Sequence, residues 1–253
     1  MIPQHRRSPL LSSPHGFFGR EGGVSKGAFA GLNGSFYSGD DFEPVQENRR
    51  RMSLALGGAQ IVTAKQTHSA DAIFIDEPFP WDQRPEADAI VTANPGIAVA
   101  VLAADCVPIL FEGNGIVAAA HAGWKGSLAG IIESTVRLME DHGAERQHIK
   151  AAIGPHLRAP LFEVRQDLID LVCATHPDAD RFFTPKTGDQ FVYDHTSFVI
   201  ARLQEAGITK DRINDVSGNT LETPETLYSY RFARQQNEDR FGHNLSAICT
   251  KPA

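Results

Sequence analysis

Residues 97–121 read IAVAVLAADCVPILFEGNGIVAAAH. Three apolar runs stand in this stretch: Ile97–Ala103, Val107–Phe111 and Ile116–Ala120. Each has the length of a strand and is rich in β-branched residues or alanine. None alternates apolar with polar residues, so each is expected to be buried on both faces. Glu112-Gly113-Asn114-Gly115 separates the last two as a turn.

The pattern continues in both directions. Ile61–Ala64, Ala72–Ile75 and Ala89–Thr92 read as strands upstream; Ile149–Ile153, Ile213–Val216 and Phe241–Ile248 read as strands downstream. Leu128, Ile131, Ile132, Thr135, Val136 and Met139 fall on one helical face, which predicts a helix over 128–139 with Gly143 just past its end. Glu43–Leu56, Gln166–Thr175 and Ser197–Ala206 are also helix-compatible. The class is therefore α/β. The first fifty residues are glycine-rich without a phosphate-loop pattern and read as a loop-rich edge hairpin. With no repeat, low-complexity tract or linker, residues 1–253 are expected to form one domain.

Composition narrows the function. The net charge is −7, and Arg49-Arg50-Arg51 is the one basic cluster, which argues against a nucleic-acid face. No apolar stretch is long enough to span a bilayer, and prolines break the N-terminal segment too early for a signal peptide. A cytoplasmic protein without membrane partners is expected. Three widely spaced cysteines, Cys106, Cys173 and Cys249, suggest no disulfide framework.

His68, Cys106 and His121 sit at strand ends. Two imidazoles and a thiolate are good zinc ligands, and three protein ligands leave a fourth position open. Gaps of 38 and 15 residues are no metal signature by themselves. On residue type alone, Cys106 reads equally as a small buried hydrophobe, and each histidine as a hydrogen-bonded core or surface group.

The surrounding motifs go further. Lys65-Gln66-Thr67-His68, Ala104-Asp105-Cys106-Val107-Pro108-Ile109, His121-Ala122-Gly123-Trp124-Lys125-Gly126 and Ile153-Gly154-Pro155 occur in this order. Together they resemble the multicopper polyphenol oxidase (laccase-domain) family, also called the peptidoglycan editing factor or purine nucleoside phosphorylase family. Gly22–Gly27, Leu32-Asn33, Asn48-Arg49 and Ser229-Tyr230-Arg231 fit it too. The resemblance implies mixed β-sheets in a layered α/β/β/α sandwich, with His68, Cys106 and His121 converging on one Zn2+. It implies phosphorolysis of adenosine, inosine and methylthioadenosine, and adenosine deamination. Editing of peptidoglycan precursors is also associated with the family. The copper label fits less well, because two histidines and a cysteine are too few ligands for a multicopper cluster. Where the family often has cysteine, cysteine-threonine and a second arginine, this chain has His156, Asn219-Thr220 and Phe232, which bears on substrate preference.

Roles can be assigned as expectations. Zinc lowers the pKa of bound water to about 7, which suits attack on a purine ring; Asp105 is the nearest carboxylate to shuttle protons, or else it orients a turn. Phosphorolysis needs nucleoside, phosphate and cations, for which Arg49, Lys125 and Arg231 match the family. Asn33 and Gln66 could hold ribose or base through their amides. Trp124 could stack on the base or pack in the core. A reading of another class drops the metal and makes Cys106 a nucleophile with His121 or His68 as base.

Overall fold

The computed structural model describes residues 2–251. Two mixed sheets carry most of the chain. The first has the order β1 (His5–Arg6), β2 (His15–Phe18), β14 (Asn244–Cys249), β6 (Ile97–Ala103), β3 (Gln60–Thr63). The second has the order β13 (Ile213–Asp215), β9 (Lys150–Ile153), β7 (Val107–Gly113), β8 (Ile116–Ala122), β5 (Ala89–Thr92), β4 (Ala72–Phe74). Within them β3–β6, β4–β5 and β9–β13 run parallel, and the other pairs run antiparallel.

The missing alternation in the central runs has a simple cause. Each strand has two buried faces, and the period of two sorts its side chains between two different cores. From β6, Ile97, Val99 and Val101 enter the core between the sheets, where they meet Leu110, Val117 and Ala119. Ala98, Ala100 and Leu102 face the other way, towards Met52 of α1 (Phe42–Ala55). From β7, Ile109 and Phe111 leave the intersheet core for Ile132, Val136 and Met139 of α3 (Ile131–Asp141) and Val199 and Leu203 of α5 (His195–Glu205). The layers are therefore helix, sheet, sheet, helix, as the resemblance implies.

Three local readings change, and the edge hairpin at the start does not. The expected single helix over 128–139 is two, α2 (Trp124–Ala129) and α3, because Gly130 sits at φ +98° and turns the chain between them. Leu128 accordingly leaves the stripe of Ile131, Ile132 and Val136 and packs beside Phe162 and Tyr193 in a different cluster. The last strand begins at Asn244, since Phe241 and His243 are drawn into the wall of a cavity. The glycine-rich start forms the β1–β2 edge pair followed by loops. A small sheet of β10 (Glu163–Arg165), β12 (Gln190–Tyr193) and β11 (Phe183–Pro185), flanked by α4 (Gln166–Thr175), adds strands that no apolar run announced.

Candidate metal centre and its cavity

The parallel pairing of β3 with β6 brings their C-terminal ends to the same edge. There both chains cross from the first sheet to the second: residues 64–71 lead from β3 to β4, and 104–106 from β6 to β7. β8 runs back antiparallel to β7 with Pro108 opposite His121, so the end of β8 lies beside the start of β7. His68, Cys106 and His121 meet at this crossing, and their ligand atoms all lie within 4.8 Å of one another. Cys106 Sγ is 3.9 Å from His68 Nε2. A tetrahedral zinc would hold sulfur and nitrogen ligands roughly 3.5 Å apart, so the donor set and spacing fit that ion. Gly123 completes the cradle: a Cβ there would stand 3.0 Å from His68 Cδ2 and 3.1 Å from Cys106 Sγ.

Asp88, which no sequence pattern singled out, orients two of the three ligands. It is fully buried just before β5. Its Oδ1 accepts from His121 Nδ1 at 2.8 Å and from the His68 amide at 3.1 Å. Its Oδ2 accepts from the amides of Thr67 and Ser69 at 3.0 and 2.7 Å. Bending the loop around one carboxylate leaves His68 at φ +61°, a left-handed conformation uncommon for a non-glycine residue. Burial pushes the Asp88 pKa up, but the bonds from His121 and the Ser69 and Thr67 amides outweigh it and hold the carboxyl well below its usual range. The bond to Nδ1 leaves Nε2 of His121 to face the other ligands. Burial likewise opposes the Cys106 thiolate, and His121 and His68 overcome it, lowering the thiol pKa.

A cavity of about 660 Å3 opens over the triad. Trp124, Leu157, Phe162 and His195 form an apolar and aromatic part of its wall; Lys65, Arg84 and Arg231 are its cations. Lys65 is paired with Glu86 at 2.7 Å, and Arg84 lies over the Tyr37 ring, 3.4 Å from its centroid. His243 also lines the cavity, and its Nδ1 is buried without a partner among the described residues. Burial, then the nearby His121, lowers its pKa to about 4, so the ring is neutral.

The residues expected to bind substrate divide sharply. Arg231 reaches the cavity wall; its Nη1 donates to the carbonyls of Leu161 and Glu163 at 3.3 and 3.2 Å, which ties α6 (Tyr230–Gln235) to the small sheet. Gln66 also touches the cavity, with one donor and one acceptor of its amide engaged: Nε2 donates to the Leu102 carbonyl at 2.7 Å, and Oε1 accepts from the Leu102 amide at 2.8 Å. It extends the β3–β6 ladder by one rung. Asn33 is fully buried, donating to Ser38 and Asp40 and accepting from the amides of Ser35 and His243. Arg49 is buried outside the cavity, donating to the carbonyls of Gly34 and Ile61. Lys125 is exposed on α2 and is not among the cavity-lining side chains. Asp105 is on the wall at φ +100°, with its carboxylate engaged: Oδ1 accepts from Thr220 Oγ1 at 2.6 Å, and Oδ2 from the Arg231 amide at 2.7 Å. The second bond caps an unpaired amide in the first turn of α6. Asp105 thus ties the Cys106 turn to that helix.

Residues 14–251 match the family model described as multi-copper polyphenol oxidoreductase laccase. The chain belongs to that family. A purine nucleoside phosphorylase of Deinococcus radiodurans is 42% identical to this laccase-family chain over 166 residues, spanning 64% of each. Purine nucleoside phosphorylase ORF3 of Streptomyces griseus is 35% identical over 237 residues, 91% of this chain and 94% of that one. The crystal structure of YlmD from Geobacillus stearothermophilus covers 99% of both chains with a TM-score of 0.87 at 27% identity. The relatives' names point to small-molecule substrates, and no helix among the described residues is long and apolar enough to cross a membrane.

Proposed function

We propose that this chain is a zinc-dependent purine nucleoside phosphorylase acting on adenosine, inosine and methylthioadenosine. One observation carries the reading: a His68–Cys106–His121 ligand triad opens into a cavity whose wall offers both aromatic faces and guanidinium groups. Phosphorolysis needs a slot for a flat base and cations for phosphate. Trp124 and Phe162 supply flat apolar surface; Arg231 and Arg84 supply charge with no carboxylate bonded to either among the described residues. A phosphate oxygen bonds to C1′, the glycosidic bond breaks, its electron pair leaves with the base, and the base takes up a proton. Zinc, held by His68, Cys106 and His121, would supply Lewis acidity at the cavity wall. Asp88 orients His121, and Asp105 holds the Cys106 turn against α6.

Adenosine deamination is a second activity of the same cavity. It needs a proton carrier near the ring, and with Asp105 engaged, His243 on the same cavity wall takes that role, its Nδ1 having no partner among the described residues. The metal-free reading, with Cys106 as nucleophile, draws on the depressed thiol pKa beside His121. Multicopper oxidation is less well supported: one group of three ligands is found among the described residues, and coupled copper chemistry needs more.

The test is elemental analysis of the purified protein together with detection of ribose 1-phosphate from inosine, with and without phosphate. About one zinc per chain and phosphate-dependent ribose 1-phosphate are expected, with zinc lost in His68→Ala, Cys106→Ala and His121→Ala. Free ribose formed at the same rate without phosphate would replace the phosphorylase by a hydrolase. Full activity in metal-free protein would favour the cysteine mechanism.

A further inference from the structure

At the aromatic part of the cavity lies one polar side chain that the reaction above does not use. His195, the first residue of α5, is 2% exposed and lines the cavity beside Trp124, Leu157 and Phe162. Its ring is packed against Tyr193, at 5.2 Å between centroids, and edge-on to Phe162 at 5.9 Å. The Asp194 cap, which accepts from the Ser197 amide at 3.0 Å, fixes the start of the helix and so the ring's root.

The hydrogen-bond chain behind the ring sets its tautomer. Ser127 Oγ lies 3.3 Å from the Ala122 carbonyl and 3.1 Å from His195 Nε2. We assign the hydroxyl hydrogen to the Ala122 carbonyl, which can only accept, and with that assignment the hydroxyl oxygen receives the N–H of Nε2. A neutral imidazole with its hydrogen on Nε2 has a bare lone pair on Nδ1. Burial, and then His156, lower the pKa to about 3, which keeps the ring neutral. The ring therefore offers the cavity an acceptor and no donor.

We propose that His195 is a specificity-determining residue that accepts a hydrogen bond from the N–H edge of the purine: the 6-amino group of adenine or the N1–H of hypoxanthine. The inference rests on the purine reading and deepens it, because it says which purines the slot selects. A buried acceptor left without its donor is costly, so a base lacking both N–H groups is selected against.

The experiment compares adenosine, inosine and purine riboside, which has neither N–H, as phosphorolysis substrates of zinc-loaded wild type, His195→Leu, His195→Asn and Ser127→Ala. Wild type is expected to favour adenosine and inosine over purine riboside by roughly tenfold to a hundredfold in kcat/KM. His195→Leu erases that preference, mainly through KM, while a wild-type zinc content and far-ultraviolet circular dichroism show that the variant folds. His195→Asn, which can return an amide oxygen to the Nδ1 position, retains part of the preference. Ser127→Ala, which frees the tautomer, falls between. An active wild type that uses purine riboside as well as adenosine overturns the assignment, as does a His195→Leu variant that loses all three substrates equally. A wild type that phosphorolyses none of the three removes the purine reading itself and this assignment with it.

Discussion

Asp88 Oδ1 accepts a 2.8 Å hydrogen bond from His121 Nδ1, and the same carboxylate gathers the amides that bend the His68 loop. One buried side chain thus orients two of the three candidate ligands. Asp88→Asn should lower zinc affinity about ten- to a hundredfold. Chelator competition on folded protein is the measurement. Unchanged affinity would show that the ligands hold their positions without the carboxylate.

Gly123 tests the triad by volume alone. Its φ of −63° and ψ of 162° suit alanine, so Gly123→Ala introduces no backbone strain. The added methyl would crowd His68 and Cys106 at 3.0 and 3.1 Å. Zinc content should drop while the denaturation midpoint of the metal-free protein barely moves. Wild-type zinc occupancy would mean that the ligands open wider than they stand here.

Arg231 is the expected phosphate contact that the fold does bring to the cavity. Losing it should raise the KM for phosphate about ten- to a hundredfold, the cost of one charge-assisted bond. Arg231 also bonds the Leu161 and Glu163 carbonyls around Phe162, so Arg231→Lys belongs beside Arg231→Ala. If the nucleoside KM rises in both and the phosphate KM in neither, the side chain acts by placing Phe162.

His156 sets an acid limit on stability. It is fully buried, with Nδ1 donating to the Gly154 carbonyl and Nε2 accepting from Thr196 Oγ1. Burial lowers its pKa from 6.5 to about 4. Between those values the unfolded chain binds more protons than the folded one, so stability rises with pH there and is lost on acidification. The loss from pH 7.5 to pH 5 should be roughly 2 kcal/mol for this group. In His156→Cys the drop in unfolding free energy over that interval, read from urea titrations, should shrink by about that amount. Equal drops in both proteins would show that His156 does not fold as a neutral ring.

The central strands and the donor chemistry of the triad were legible in the amino-acid sequence. Runs such as Ile97–Ala103 and Ile116–Ala120 are apolar throughout because both faces are covered, and that shows in composition before any pairing is known. His68, Cys106 and His121 carry their donor chemistry in their side chains. Tertiary structure decided their convergence, which follows from the parallel β3–β6 pair and two crossings between sheets, neither encoded by a spacing. It also decided which polar groups remain free. Gln66, Asn33 and Arg49 have the right chemistry for a ligand, but they bond to Leu102, to the loop around Ser38, and to the carbonyls of Gly34 and Ile61. Asp88 and His195 carry no local signal, because an aspartate before a strand and a histidine at a helix start are ordinary. Their roles arise from burial and from partners 33 and 68 residues away, where a hydrogen-bonding group must find its match or forfeit its solvation.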